Sequence, residues 1–420
     1  MREMKDSGIS WVGEIPKEWS VNRAKYCFVN TKEIAGCRSD RYERLALTMN
    51  GVIKRSKDDS NGLQPEKFET YQILRPDELV FKLIDLQNVS TSRVGLSPYL
   101  GLVSPAYIIL KSNKRVLPAF AEKYFLMLWK NQIFNALGDA GVRSNLNSKD
   151  LLELSIPFPS LVEQQRIAEF LDRECGKIDG LKADIQAQID TLEQYKRSVI
   201  TEAVTHGLNP SAPMKDSGIP WVGEIPAKWA VLPIYCVYGE RKRKNVFGTE
   251  QNLLSLSYGK VIRKDINTNG GLLPSNYNGY NIIEKNDIII RPTDLQNDRT
   301  SLRTGLVKEH GIITSAYIAL KPKNRVSSKF YHYLLHSYDV KKVFYNMGNG
   351  VRQGLNYGEF AKLMVYYPPL DEQQEIADYL DNKCAEIEQI IADKKSQIEM
   401  LDGYKKSLIY EYVTGKKEVV

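Results

Sequence analysis

A chain of 420 residues is too long for one ordinary domain and implies two or three. Apolar residues at 42% and charged residues at 26% are globular proportions, and no run of about 18 apolar residues offers a membrane span. A formal charge of +7 invites an anionic partner if the cations cluster, and the start, MREMKDSGIS, has no apolar stretch of the secretory kind, so the expected compartment is the cytoplasm.

The first element in chain order is a block, MKDSGISWVGEIPKEW, at 4–19. It returns as MKDSGIPWVGEIPAKW at 214–229, with 13 of 16 positions identical and an offset of 210, half the chain. The echo continues downstream. DLQN stands at 85–88 and 294–297, SPAYIILK (104–111) answers TSAYIALK (314–321), and GVRSNLN (141–147) answers GVRQGLN (350–356). PSLVEQQRIAEFLD (159–172) answers PPLDEQQEIADYLD (368–381). Solenoid repeats run about 20–50 residues, so a period this long means duplicated domains. The expected division is a first domain at 1–158, a helical spacer at 159–210, a second domain at 211–367 and a closing helical spacer at 368–420.

Between these blocks each half reads as mixed α/β. ELVFKLI (78–84), GLVSPAYIIL (101–110), DIIIRP (287–292) and GIITSAYIAL (311–320) look like strands set between Gly, Pro, Asn and Asp. AFAEKYFLMLWKNQIFNAL (119–137) has helical spacing at Phe120, Tyr124, Leu128 and Ile133, and SKFYHYLLHSYDVKKVFY (328–345) is its counterpart. The aromatic stripe of these helices fits a core better than a stacking platform. Cys27 and Cys236 are 209 apart, as are Cys175 and Cys384; with Cys37 the count is odd, and the paired positions read as small buried groups rather than bridges.

The stretch from Glu163 to Thr205 holds no proline, and Leu171, Ile178, Ile185, Leu192 and Val199 recur every seven residues. Leu181, Ile189 and Tyr195 add positions to that face. Leu380, Ile387, Leu401 and Leu408 repeat the register, with Lys394 as the break. A sustained seven-residue period predicts helices that pack on a partner helix. The candidate partner of each is the other, antiparallel because a duplicated chain must return; two separate amphipathic helices are the alternative.

The charge is unevenly placed. Residues 20–155 hold 20 Lys and Arg against 14 Asp and Glu, and residues 230–364 hold 20 against 10, while the remainder holds 18 against 27. Two basic domains beside acidic helices are the footprint of a polyanion binder, although solvated lysines leave the same trace. Gln87 and Asn88, with Gln296 and Asn297, are side chains that pair bidentately with adenine, or that close turns. Arg93 and Arg303 follow them as candidates for phosphate or guanine. Arg143 and Arg352 sit in glycine-flanked GVR loops. Arg241, Lys242, Arg243 and Lys244 form a basic run suited to phosphate contact or to solvation.

Catalytic signatures are missing. YPPL at 367–370 is like an amino-methyltransferase motif but has Tyr367 where Asn or Asp is needed, and PDELVFK (76–82) lacks the spaced Glu-x-Lys of a nuclease. No P-loop, dinucleotide fingerprint or Ser/His/Asp grouping appears, so the chain is read as non-catalytic.

The doubled opening block, the P-x-L-x-E-Q-Q-x-I-A-x-[FY]-L-D segments (Pro159–Asp172 and Pro368–Asp381) and the Y-K-[RK]-S-[LV]-I segments (Tyr195–Ile200 and Tyr404–Ile409), taken as turns, together resemble the specificity subunit of a type I restriction–modification system. The resemblance implies two target recognition domains, each reading one half of a split asymmetric site in double-stranded DNA. It implies two long helices in an antiparallel coiled coil with near-twofold symmetry, which space the half-sites and dock two methyltransferase subunits. S-adenosylmethionine belongs to those partners, which methylate an adenine in each half; restriction subunits complete the assembly. On this basis DLQN is expected to frame the feature common to both half-sites, and the unshared segments 54–62 and 263–271 to carry the differences. A stand-alone DNA-binding regulator and a coiled-coil scaffold are the rival readings.

Overall fold

The structure, a computed structural model, describes residues 2–59, 67–86, 91–138, 145–266, 276–293, 295, 302–323, 325–347 and 354–419. The chain divides into two compact units, Met1–Ile185 with Lys395–Val420, and Gln186–Lys394. The boundaries fall inside two long helices, Leu161–His206 and Leu370–Val413, so each unit contains the start of one helix and the end of the other.

In the first unit the opening block is a small hairpin, Met4–Asp6 against Glu14–Pro16, followed by the buried Trp19. Strand Ser20–Arg23 pairs with Ser155–Phe158 and so brackets the mixed segment. Between them lie two four-stranded sheets. One runs Gly51–Arg55, Arg44–Thr48, Gly101–Val103, Gln72–Leu74; the other runs Phe28–Thr31, Ile108–Ser112, Leu79–Phe81, Val94–Leu96. The first sheet has one parallel contact, Leu102 on Arg44. Its strands come so close there that a Cβ on Gly101 would lie 2.6 Å from the Glu43 carbonyl oxygen, which only glycine avoids. Gly311 faces the Asn252 carbonyl in the same way at 2.5 Å in the second unit.

The second unit repeats the plan. Its opening hairpin is Met214–Asp216 with Glu224–Pro226, its bracketing pair is Ala230–Pro233 with Met364–Tyr367, and its four-stranded sheet runs Tyr238–Glu240, Ile318–Pro322, Ile288–Ile290, Thr304–Leu306. The counterpart of the other sheet is reduced to two pairs, Leu254–Ser257 with Lys260–Arg263 and Asn281–Ile283 with Gly311–Ile313, linked by one parallel bridge from Leu253 to Ile312.

The chain departs from its predicted elements in instructive ways. GLVSPAYIIL is two strands in different sheets, parted by a turn in which Tyr107 N donates to Ser104 O at 3.1 Å; GIITSAYIAL is divided in the same way. The helix expected over 119–137 stops at Lys130, because Gln132 takes φ +61, and resumes as Ile133–Leu137. Its counterpart stops at Val340 before Lys342 at φ +60. The Tyr195–Ile200 and Tyr404–Ile409 segments are not turns but lie inside the long helices. All five cysteines are free; Cys27, Cys175 and Cys384 are buried as expected, but Cys236 is exposed like Cys37, since it ends the short helix Ile234–Cys236 where the first unit has the exposed Tyr26, and Val237 fills the buried place of Cys27.

The two long helices run antiparallel within each unit, as rising numbers on one meet falling numbers on the other. In the first unit Lys182 pairs with Asp402 and Lys405 with Asp179 at 2.7 Å, while in the second Lys196 pairs with Glu388 and Lys394 donates to Gln188. Lys394, the break in the apolar register, thus makes a polar cross-helix contact. Leu171, Cys175 and Ile178 join Leu408, Ile409 and Val413 in one core, and Val199, Ile200, Ala203 and Val204 join Ile376, Ala377, Leu380 and Cys384 in the other. Leu181 and Tyr195, assigned to the packed face by spacing, are exposed instead. The opening blocks sit at the helix ends. Arg2 pairs with Glu163 and, at 3.3 Å, with Glu418, and Tyr410 donates to Val12 O at 3.1 Å. In the second unit Gly207 lies against Trp229 and Pro226.

Candidate nucleic-acid interface and the joints that hold it

The repeated E-Q-Q segment opens each long helix and turns out to be a joint. Glu163 accepts from the Trp19 indole N–H at 3.0 Å, and Glu372 accepts from Trp229 at 3.1 Å. The next residue is a fully buried amide. Gln164 accepts from Leu117 N at 2.8 Å and donates to Pro159 O at 3.0 Å; Gln373 accepts from Ser327 N and donates to Pro368 O, both at 2.9 Å. Leu117 and Ser327 cap the starts of the domain helices Pro118–Lys130 and Ser328–Val340, and Pro159 and Pro368 lie just before the long helices, so each glutamine ties a domain helix to a long helix. The closing aspartate makes a second tie. Asp172 pairs with Lys123 at 2.6 Å; burial alone would lower that lysine's pKa, but Glu122 and Asp172 outweigh it and hold the ammonium above its ordinary range. Asp381 does the same work with different partners, Lys329 at 2.6 Å and the Tyr333 hydroxyl at 2.8 Å. Sequence spacing alone did not disclose this role, although Glu163, Gln164 and their copies were visible as a doubled motif.

Of the candidate readers, Gln87, Asn88, Arg143, Gln296, Asn297 and Arg352 lie outside the described residues. Their flanks converge. Asn145 accepts from Asp85 N at 3.0 Å, Leu146 N donates to Leu83 O at 3.0 Å, and Leu355 N donates to Pro292 O at 3.0 Å. In each domain, therefore, the chain entering DLQN meets the chain leaving GVR.

Arg93 and Arg303 occupy a different place from an open phosphate contact. Both are 0% exposed. Arg93 donates to the carbonyls of Ile84 and Asp85, and burial lowers its pKa. Arg303 donates to the carbonyls of Arg291 and Thr293, and its guanidinium lies 5.1 Å from the Tyr345 ring centroid. Each arginine clamps from beneath the backbone that leads into DLQN. In the basic run, Arg241 forms a two-point pair with the buried Asp287, whose pKa burial raises against that pairing. Lys242 pairs with Glu240 at 2.9 Å, Arg243 stands 3.7 Å from Glu284, and Lys244 donates to Gly279 O at 2.9 Å. Arg241 is thus structural, while Lys242, Arg243 and Lys244 stay on the surface.

The surfaces of the two domains differ where their frames agree. The first has a cleft of about 440 Å³ lined by Arg41, Arg44, Lys54, Arg55 and Lys57, with Asp40 and Glu43 beside them. Arg44 and Lys57 lie over the Phe68 ring at 5.9 and 5.6 Å. At the matching positions the second domain carries Glu250, Leu253, Arg263, Lys264 and Ile266, and Arg263 is paired with Glu309 at 2.8 Å. His310 bridges Glu284 at 2.8 Å and Glu250 at 2.7 Å, and the hydrogen bond with Glu284 raises its pKa. Tyr99 and Leu100 stand in the places of Glu309 and His310 in the first domain.

Among the described residues, no three His, Cys, Asp or Glu side chains form a group that could hold a metal ion, and no helix is long and apolar enough to cross a membrane.

Comparison with known proteins gives the same frame. A Methanocaldococcus jannaschii protein named as the specificity subunit of the type I restriction enzyme MjaX is 23% identical, over 97% of this chain and 96% of its own length. The StySPI type I restriction enzyme specificity subunit of Salmonella potsdam is 22% identical, over 85% and 81%. A solved chain from work on complex assembly and conformational transition of the type I restriction–modification system shares the fold, with a TM-score of 0.70 at 12% identity, covering 96% of this chain and 99% of that one. The family model described as the type I restriction modification DNA specificity domain matches twice, at 57–191 and 240–400. Matched over more than half its length by that doubled domain, the chain belongs to the type I restriction–modification specificity subunits, the non-catalytic members of their systems.

Proposed function

We propose that each domain reads one half of a split, asymmetric site in double-stranded DNA, and that the paired helices dock two methyltransferase subunits and, through them, restriction subunits. S-adenosylmethionine is the methyltransferases' cofactor, none being held by this chain, and the complex works in the cytoplasm. The observation that carries this reading is the contrast between frame and surface. The joints at Gln164 and Gln373 are alike bond for bond, yet the cleft at Arg41–Lys57 is cationic and its counterpart is laced with carboxylates. A duplicated reader whose joints are kept and whose reading faces diverge suits two dissimilar DNA words. DLQN, doubled and set on an arginine-clamped base, suits the feature the two words share.

The docking half of the proposal draws on exposed apolar side chains repeated on both helices. Leu181 and Tyr404 lie in the first unit, and Ile390 and Tyr195 in the second, all at least 45% exposed. Equal patches fit equal partners.

Methylome sequencing of a host carrying the chain and its methyltransferase is the test. Two short motifs separated by a fixed gap are expected, and Arg41→Ala should relax only one of them. A single uninterrupted motif, or methyl transfer by the purified chain alone, would refute the reading.

A further inference from the structure

In the second domain a rigid turn holds two apolar side chains out into water. Gly248 N donates to Asn245 O at 2.9 Å, with Gly248 at φ +62. The Asn245 side chain is buried at 1% exposure and grips Glu250 twice, donating to its carbonyl at 2.9 Å and accepting from its N–H at 3.2 Å. The Asn245 backbone N–H donates to Tyr280 O at 3.0 Å. Between the fixed ends stand Val246, 61% exposed, and Phe247, 89% exposed. Turn tips ordinarily carry Gly, Asn, Asp or Ser, which water solvates. A buried amide that props a phenyl ring outward is a different design. The three residues before the turn, Lys242, Arg243 and Lys244, are surface cations. The first domain, in which the Ala35 amide answers that of Asn245, has Gly36 and Cys37 at the matching positions, within the short helix Gly36–Arg41, so the feature belongs to the second domain alone.

We propose that Phe247 is a wedge that enters the DNA duplex at the half-site read by the second domain. Apolar side chains driven between base steps unstack them, and an aromatic ring stacks on the face of any base. The neighbouring cations hold the phosphates on either side, which is the charge complement that a protein partner would not need. A target adenine must leave the stack before it is methylated, and a ring that opens the adjacent step lowers that cost. The wedge rests on the DNA-reading function proposed above.

The test uses the chain assembled with its methyltransferase and duplexes bearing 2-aminopurine beside the mapped target adenine of each half-site. Emission is expected to rise on binding. Phe247→Ala should abolish most of the rise at one half-site and slow methylation there by about tenfold, the order expected for one lost base stack. Phe247→Trp should restore both. Equal emission and methylation in Phe247→Ala at both half-sites would overturn the wedge, as would loss of methyltransferase co-purification in that variant, which would make the ring a protein anchor. A parent complex that binds no duplex would overturn the DNA-reading function itself, and the wedge with it.

Discussion

The two adjacent glutamines of E-Q-Q offer a stringent test of the joint. Gln373 is buried and satisfies two buried backbone groups, Ser327 N and Pro368 O, at 2.9 Å each. Gln374 is exposed and reaches only Asp378, one turn along the same helix, also at 2.9 Å. Leaving a buried donor or acceptor unsatisfied costs about 1–3 kcal/mol, so Gln373→Ala should cost roughly 2–6 kcal/mol, less whatever a water entering the gap recovers. An exposed pair one helical turn apart contributes about 0.2–0.5 kcal/mol, so Gln374→Ala should be near neutral. Urea unfolding of the two variants measures the difference, and hydrogen exchange locates it. Gln373→Ala should speed exchange in Ser328–Val340 while Pro118–Lys130, held by Gln164, keeps its protection. Equal costs for the two variants, or a cost under about 0.5 kcal/mol for Gln373→Ala, would refute the reasoning.

Three further outcomes follow from the same geometry. Arg93→Met should destabilise by about 2–4 kcal/mol through the stranded carbonyls of Ile84 and Asp85, yet leave the salt dependence of DNA binding unchanged; a fall of about 0.9 in the log–log salt slope would instead make Arg93 a phosphate contact. Burial drives the pKa of His332, which meets the Thr304 backbone, to about 3 and that of His336, in the field of Lys196 and Arg197, to about 4. A ring held neutral in the fold but free to protonate near 6.5 when unfolded supports the fold above that pH and loses its contribution as pH falls towards 4. Both side chains keep some exposure, so the loss from pH 7 to pH 5 should be about 1–2 kcal/mol per ring, and His336→Leu, the residue of the first copy, should flatten the urea-midpoint slope over that range. A slope unchanged in that variant would contradict the assignment. Gly311→Ala should unfold the second unit at lower urea, by several kcal/mol, since its Cβ would meet the backbone oxygen of Asn252; an unperturbed midpoint would mean the strands can part.

What could be read from the letters, and what could not, divides along physical lines. The duplication and the long helices were legible because identity at an offset of 210 and a seven-residue apolar period are signals spread over many residues. The helix breaks were not, because Gln132 and Lys342 adopt the left-handed conformation without the glycine that advertises it. Nor was the turn inside GLVSPAYIIL, where an apolar run continues across two sheets. Arginine is expected outside, and the burial of Arg93 and Arg303 is a property of the fold that no local pattern announces. The doubled E-Q-Q was conspicuous in the sequence, but its bonds go to residues as far away as Trp19, Leu117 and Ser327, and such partners are a property of the fold.

The contact of Arg2 with Glu418 has a bearing on what seats an opening block. In the first unit the seam between helix end and opening block is closed by side chains; in the second the same seam, at Gly207 and Trp229, is crossed by unbroken peptide. The same joint is thus made once without a peptide bond and once across one, so side chains suffice to seat an opening block on the end of a long helix.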